Sequence, residues 1–572
     1  MFKVYDFEVF PNDWMCVILN LANNKIIRIH NDKAALLSSL SSKDILVGFN
    51  NYGYDDIILW AIQTEQDPYE ISQQIIGNQF KRKVSCGFLT LDVKQELINK
   101  QLSLKEAMAN MSMDIIETPV PFDQETLSEE EVQEVFTYCE NDVRATAEIF
   151  NQREDYFSTK FEIVDTYKLH PSDVKETRAK LASKILKARK IQKPARDRLK
   201  LTYDKRIPLH ELPKSVVEFY DTIEADYTRG GSILELEKMQ LDYRLAGVTH
   251  TYGFGGLHAS KENYIAEGEF LHIDARSYYP TLKINNNFIS RAATMPERYK
   301  KMYDERLQLV DAGDAKAEIH KILLNATFGA TKSEYNALYD PLQFNNTTVN
   351  GQLILTHLIV LLNPFIELVQ SNSDGLIVKY EDSLARTMID EVVERFAKHY
   401  ELSFGVKEIN KIVQRDANNY CVRYKNGEIV AKGFMKYFEG GNWERNSLSV
   451  VDTAILNYYM HGIDVQKTVI SLFKKDLSAF QLVAKKGVFD GMVHEVFKDG
   501  QMQMEPIQNV NRIFATKDAK CGSVFKVRND RYHKVNDCPE AAYIWNGSLD
   551  EMDRRKIDLN WYVKLIQKQL FV

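Results

Sequence analysis

Apolar and polar positions alternate from Val4 to Val9, which predicts a strand carrying Asp6 and Glu8 on one face, two residues apart. Trp14 to Leu21 and Lys25 to His30 extend this into an antiparallel meander. The apolar run from Ile45 empties into a turn at Asn50-Asn51-Tyr52-Gly53-Tyr54, after which a helix starts at Asp55. Ser128-Glu-Glu-Glu131 is a capping box opening a helix to about Arg153, on which Tyr138 and Asp142 stand side by side at i and i+4.

A second set of patterned segments lies in the middle of the chain. Phe270-Leu-His-Ile273 reads as a buried strand that delivers Asp274 to a turn, and Ser277-Tyr-Tyr279-Pro280 opens a helix. Taken alone, Asp274 would be an ordinary helix N-cap. Lys321, Asn325 and Phe328 fall at i, i+4 and i+7, so one helix presents all three on one face. Ile366 to Val378 reads as strand, tight turn and strand, with Asp374 at the tip and Gly375 supplying conformational freedom to the turn.

The 572 residues suggest about three or four domains, and 44% hydrophobic with 27% charged residues is an ordinary globular balance. No run of about 18 apolar residues and no signal peptide stand out, so a cytoplasmic protein without a membrane partner is expected. Six cysteines, at 16, 86, 139, 421, 521 and 538, form no C-x-x-C pair and read as reduced filler. A net charge of −7 argues against nucleic acid, but Lys175 to Arg206 holds 13 Lys or Arg against three acids, a stripe able to track phosphates or simply a solvated helical face. Tyr252-Gly-Phe-Gly255-Gly256 is a glycine-rich stretch before a strand, a hairpin turn in its plainest reading.

The chemistry follows from the carboxylates. Asp6, Glu8, Asp55 and Asp142 suit two-metal phosphodiester hydrolysis, with Tyr138 orienting the water. Asp274 and Asp374 at strand ends, beside a helix offering Lys321, suit magnesium and a triphosphate: hard oxygen ligands for the ion and a point charge for the phosphates.

These stretches resemble, in order and type, motifs of family B DNA polymerases, especially compact phage-encoded ones. Asp274 to Pro280 resembles D-x-x-S-L-Y-P, Lys321 to Gly329 resembles K-x-x-x-N-S-x-Y-G, and Asn372-Ser-Asp374-Gly375 resembles D-T-D-S. Near the N-terminus, D-x-E at Asp6 and Glu8, an N-x(2–3)-[FY]-D motif taking Asn50 with Tyr54 and Asp55, and Y-x-x-x-D at Tyr138 and Asp142 are similar to the DEDDy proofreading motifs. Leu91-Asp92 and Ser103-Leu-Lys105-Glu106 also sit where phage relatives carry similar stretches.

The resemblance implies a multidomain α/β and α+β chain: an RNase H-like 3′→5′ exonuclease (1–153), a basic helical connector (154–250), a palm (251–300 and 331–455), short two-helix fingers (301–330) and a thumb (456–572). It implies two Mg2+ per active site, with Mn2+ as an alternative, held by Asp274, Asp374 and the Ala275 carbonyl in one site and by Asp6, Glu8, Asp55 and Asp142 in the other. Ser277, Tyr279, Arg306, Lys321, Asn325 and Phe328 would meet the incoming deoxynucleotide, Tyr279 excluding a 2′-hydroxyl. Asn50, Tyr54, Tyr252, Gly255, Gly256, Tyr420 and Lys432 would meet DNA, Tyr252 by stacking on a base. Partners would be primer–template DNA, deoxynucleoside triphosphates and phage replisome proteins, in the host cytoplasm if the chain is phage-encoded.

Three departures matter. Asn372 stands for the family's first aspartate in its motif, Phe328 for a tyrosine, and Asn418-Asn419-Tyr420 for K-x-Y. The first of these, together with the short fingers, motivates an alternative, an exonuclease whose polymerase site is inactive and only binds DNA. A non-catalytic DNA scaffold is a further rival, weakened because buried unpaired acids are costly to retain.

Overall fold

A computed structural model describes residues 1–118, 120–192, 197–433, 443–446 and 448–571. Lys193 and Arg196 of the basic stripe lie outside the described residues.

The N-terminal sheet has five strands, β1 (Phe2–Val9), β2 (Trp14–Asn20), β3 (Lys25–His30), β4 (Ile45–Gly48) and β5 (Leu89–Asp92), in the order β3-β2-β1-β4-β5. The predicted meander is antiparallel, and β4 and β5 join it parallel to β1. Helices cover both faces, so β1 is buried on both sides. Val4, Val17 and Val47 pack with Val135, Cys139 and Val143 of the Glu129–Gln152 helix. Tyr5, Phe7 and Leu46 pack with Ile58, Leu59 and Ile62 of the Asp55–Gln63 helix. Strand periodicity then sends Asp6 and Glu8 toward the long helix, the same side as Val4. The capping box forms as predicted between Ser128 and Glu131.

The central sheet has nine strands: β6 (Leu241–Leu245), β7 (Val248–Tyr252), β8 (His258–Ser260), β9 (Tyr264–Ala275), β10 (Glu367–Asn372), β11 (Gly375–Lys379), β12 (Phe404–Asp416), β13 (Asn419–Tyr424) and β14 (Ile429–Lys432). Their order is β14-β13-β12-β9-β11-β10-β8-β7-β6. The sheet therefore begins at Leu241, inside the stretch read as connector. Leu271, Ile273 and Ala275 of β9 pack under the Tyr278–Asn285, Pro341–Leu362 and Ser383–Tyr400 helices. Phe270, His272 and Asp274 alternate onto the opposite face, where Tyr420, Val422 and Tyr424 lie. The segment Pro341–Phe365 is long and apolar enough to cross a membrane, yet 72% of its most apolar window is buried inside the protein, as befits a core helix.

Two further helices, Glu297–Asp311 and Ala317–Lys332, form a pair between these units, and their apolar residues Met302, Ile319 and Leu323 join the core that contains the first domain. The C-terminal part packs the Ser449–Leu456, Val465–Lys475 and Leu559–Gln569 helices. It carries seven strands, β15 (Leu482–Lys485), β16 (Gly491–Lys498), β17 (Gln501–Ile507), β18 (Val510–Ala515), β19 (Cys521–Arg528), β20 (Arg531–Lys534) and β21 (Ala542–Ile544). These form sheets ordered β15-β18-β21 and β17-β16-β19-β20. The Ser449–Leu456 helix belongs to this core, although the sequence reading ended the preceding unit at 455.

Candidate active sites

The first site is built on β1. Asp55, at the first turn of its helix, accepts the Phe7 backbone N–H at 3.1 Å, which draws its carboxyl in beside Asp6 and Glu8. The Glu129–Gln152 helix brings Asp142 and Tyr138 from the other side, and the Cys139 thiol lies 3.6 Å from an Asp6 carboxylate oxygen. Lys105, on the Leu104–Asn110 helix, pairs with Asp142 and stands 4.1 Å over the Tyr138 ring.

Burial pushes the Asp6, Glu8, Asp55 and Asp142 carboxyls up; neighbouring acids add to this for the first three, while Lys105 opposes it for Asp6, Glu8 and Asp142. Burial likewise pushes the Tyr138 phenol far up, so its hydroxyl keeps its proton as a donor. Four converging carboxyls with a single lysine fit divalent cations, the partner that lets such a set remain ionised in a dry pocket. Asp6, Glu8 and Cys139 already bring ligand atoms within 4.8 Å of one another.

The second site forms where β9 and β11 end side by side. Register places Asp274 opposite Gly375, and the Ala275 N–H donates to the Asp374 carbonyl at 2.8 Å. A cleft of about 470 Å³ is lined by Asp274, Ala275, Ser277, Tyr279, Arg306, Lys321, Asn325 and Asp374. Every nucleotide-site residue read from the sequence borders it except Phe328, whose ring stacks on Tyr279 at 4.7 Å and 10° and so floors the cleft from behind.

Arg306 donates to the Ser277 hydroxyl, while its Nε is buried without a hydrogen-bond partner. Lys321 is half exposed and, among the described residues, pairs with Glu318, one turn away, at 3.1 Å. Arg306 on the cleft wall and Lys321 loosely held at the surface fit an incoming polyanion. Burial, then the Asp274 charge, pushes the Asp374 carboxyl up to about 6. Burial also raises Asp274, against His272, Lys407 and Lys432. This carboxylate pair too fits a divalent cation.

Several expectations need correction. Gly375 does not supply a left-handed turn; Ser373 does, at φ 43°, and Gly375 serves close approach instead, since a Cβ there would sit 3.0 Å from the Ile273 carbonyl. Tyr252 cannot stack on a base: it is fully buried, with its hydroxyl 2.9 Å from Thr356. Around it, the Gly255 carbonyl accepts from Gln352, and a Cβ on Gly256 would run into the Ser373 hydroxyl, so this segment braces the Asp374 turn. The Tyr420 ring is core, 6% exposed, although it faces the carboxylate side of the sheet. Tyr54 spends its hydroxyl on Ser72 at 2.7 Å. Between the two asparagines, Asn51 is buried and donates to Asp56 at 2.9 Å, leaving Asn50, at φ 63°, as the exposed member. Cys139 is no filler, because it touches Asp6.

Sequence reasoning also missed His272 and Lys407. The alternation Phe270, His272, Asp274 carried the signal for the first. Lys407 is brought opposite His272 only by the pairing of β12 with β9, which no local pattern reveals.

No family model and no curated protein matches the chain. Among solved structures it is similar to the family B DNA polymerase from the hyperthermophilic archaeon Pyrobaculum calidifontis, over 99% of this chain and 77% of that one, with 11% identity and a TM-score of 0.41. A likeness of that strength leaves function to be argued from the sites.

Proposed function

We propose that the chain is a template-directed DNA polymerase with its own 3′→5′ proofreading exonuclease. The observation that carries this reading is the cleft that gathers Asp274, Asp374, Arg306, Lys321 and Asn325 from four separate chain segments. In this reading the nine-stranded sheet is a palm, the Glu297–Asp311 and Ala317–Lys332 helices are fingers, and the C-terminal part is a thumb. The β3-β2-β1-β4-β5 order, with carboxylates on the central strand, supports an RNase H-like exonuclease.

Magnesium ions held by Asp274, Asp374 and the Ala275 carbonyl, and by Asp6, Glu8, Asp55 and Asp142, would supply the activated oxygen nucleophile and charge neutralisation in the two reactions. The chain's own groups do the rest. Arg306 and Lys321 orient the triphosphate from the fingers side, and the hydroxyl of Ser277 fixes the Arg306 fork. The Tyr279 ring, held flat by Phe328, lies under the sugar and leaves no room for a 2′-hydroxyl. Lys432 and Lys407 place positive charge on the open sheet face beside Asp274, where a primer backbone would run. In the exonuclease, the protonated Tyr138 hydroxyl orients water, and Lys105 balances Asp142.

A 5′-labelled primer–template with magnesium, with and without deoxynucleotides, tests the reading. Extension with nucleotides and shortening without them is expected. Shortening under both conditions would reduce the chain to an exonuclease with a silent palm.

A further inference from the structure

The Leu104–Asn110 helix supplies Lys105 to the first carboxylate site, yet residues more than 300 positions away hold it in place. Its capping-box glutamate, Glu106, is 2% exposed and accepts four hydrogen bonds: two from Ser103, at 2.9 and 2.8 Å, and one each from Lys485 and Asn446 at 2.6 Å. Burial works against its ionisation, but Lys485, Ser103 and Asn446 hold the carboxyl below its ordinary range. Lys485 also donates to the Gln101 carbonyl in the preceding turn.

At the other end of the helix, Gln481 donates to the Ala109 carbonyl at 2.9 Å, and Arg512, itself buried, donates to the Met113 carbonyl at 2.7 Å. Ala109 and Ile115 complete the contact against Val483 and Val510. Gln481, Val483 and Lys485 alternate along β15 and its lead-in, and Val510 and Arg512 lie opposite Lys485 and Val483 on β18. One face of this two-strand ladder therefore grips the helix from end to end. Lys105, next in sequence to Glu106, points the other way, onto Asp142 and the Tyr138 ring.

We infer that Glu106 and Lys485 are positioning residues for the hydrolytic centre, so that the C-terminal part sets Lys105 on Asp142 through the Leu104–Asn110 helix. This rests on the exonuclease reading for its catalytic consequence but not for its geometry. The ladder fixes the helix at both ends, and a one-residue offset separates the gripped side chain from the one that reaches the carboxylates. Exonuclease output thereby depends on whether the C-terminal part is docked.

The test is a double-mutant cycle in the full-length chain, read by single-turnover hydrolysis of single-stranded DNA. Lys485→Met should slow hydrolysis about tenfold in the wild-type background and less than about twofold in Lys105→Met, because its effect passes through Lys105. Primer extension should stay within about twofold, and Lys485→Arg should restore hydrolysis. Mass-spectrometric acylation of lysines provides a readout independent of activity: Lys105, with a side chain only 12% exposed, should be protected in the wild type and reactive in Lys485→Met and in Glu106→Gln. Equal slowing in both backgrounds, or Lys105 protected alike in all variants, overturns the inference. If the wild type cuts no DNA, the exonuclease reading fails, and the acylation pattern alone still decides the inference.

Discussion

The two carboxylate centres differ in what surrounds the acids. In the first, four carboxyls from β1 and two helices close on one another in a largely buried pocket where, among the described residues, Lys105 is the pairing cation. In the second, two carboxyls stand at the end of a sheet, open to a cleft whose far wall carries Arg306 and Lys321. The acid-rich pocket has charge enough to hold cations around a single phosphodiester. The other, in the proposed function, would leave room and positive charge for three phosphates. In the proposed function, similar metal chemistry would serve cleavage or synthesis according to the cations the scaffold places opposite the carboxylates.

The sharpest way to break that comparison is to remove one acid from each. Asp374→Ala should lower extension on the order of a thousandfold or more while shortening persists; Asp142→Ala should do the reverse. A primer–template time course reads both in one gel. If either variant loses both activities, the two centres are not separate machines.

A smaller effect is expected from Tyr279→Val. Removing the ring that stacks on Phe328 should raise ribonucleotide incorporation, relative to deoxynucleotide, on the order of tenfold to a hundredfold. Competition between the two nucleotides on one template measures it. An unchanged ratio would mean that Tyr279 only supports the fold.

Much of this was legible in the sequence, and the reasons are local. Period-two alternation gave β1 and the Asp6–Glu8 face, a capping box gave the start of the long helix, and helical spacing grouped Lys321, Asn325 and Phe328. What stayed hidden depends on partners distant in the chain. Tyr252 looked like a base-stacking aromatic because nothing nearby reveals Thr356 or the helix above it. Gly375 looked like a turn glycine, because its real constraint is the neighbouring strand's Ile273 carbonyl. Cys139 looked inert until the long helix packed on β1. The Ser103-Leu-Lys105-Glu106 stretch stood out only by resemblance, since the link of Lys105 to Asp142 requires the tertiary fold.

Arg306 sharpens the comparison from the cationic side. Because Arg306 lines the cleft, Arg306→Ala should raise KM for deoxynucleotides about tenfold, the scale of one charge-assisted phosphate contact. Exonuclease rates should not change. Steady-state extension at varied nucleotide concentration separates KM from kcat, and a pure kcat loss would place Arg306 in fingers folding instead of nucleotide binding.

An effect on stability alone concerns a cation that the second centre buries instead of presenting. Lys283, on the Tyr278–Asn285 helix, is 1% exposed, lies 5.5 Å from the centre of the Phe328 ring and donates to the Phe288 carbonyl at 3.2 Å. Burial pushes its ammonium down to about 7, with Asp340 opposing the shift. In the unfolded chain the same group titrates near its ordinary value of about 10.4. Between those two values the unfolded chain holds a proton that the folded chain has released, so folding stability rises with pH across this window. Below it, both states are protonated and the full cost of burying the charge applies. Relative to Lys283→Met, which has no such proton, wild-type stability should climb on the order of 1 kcal/mol per pH unit from about pH 7.5 to about pH 9.5. Urea midpoints of both proteins across that range measure the difference. A constant difference would mean that Lys283 keeps its proton in the folded state, and the cleft would then stand on a buried charge.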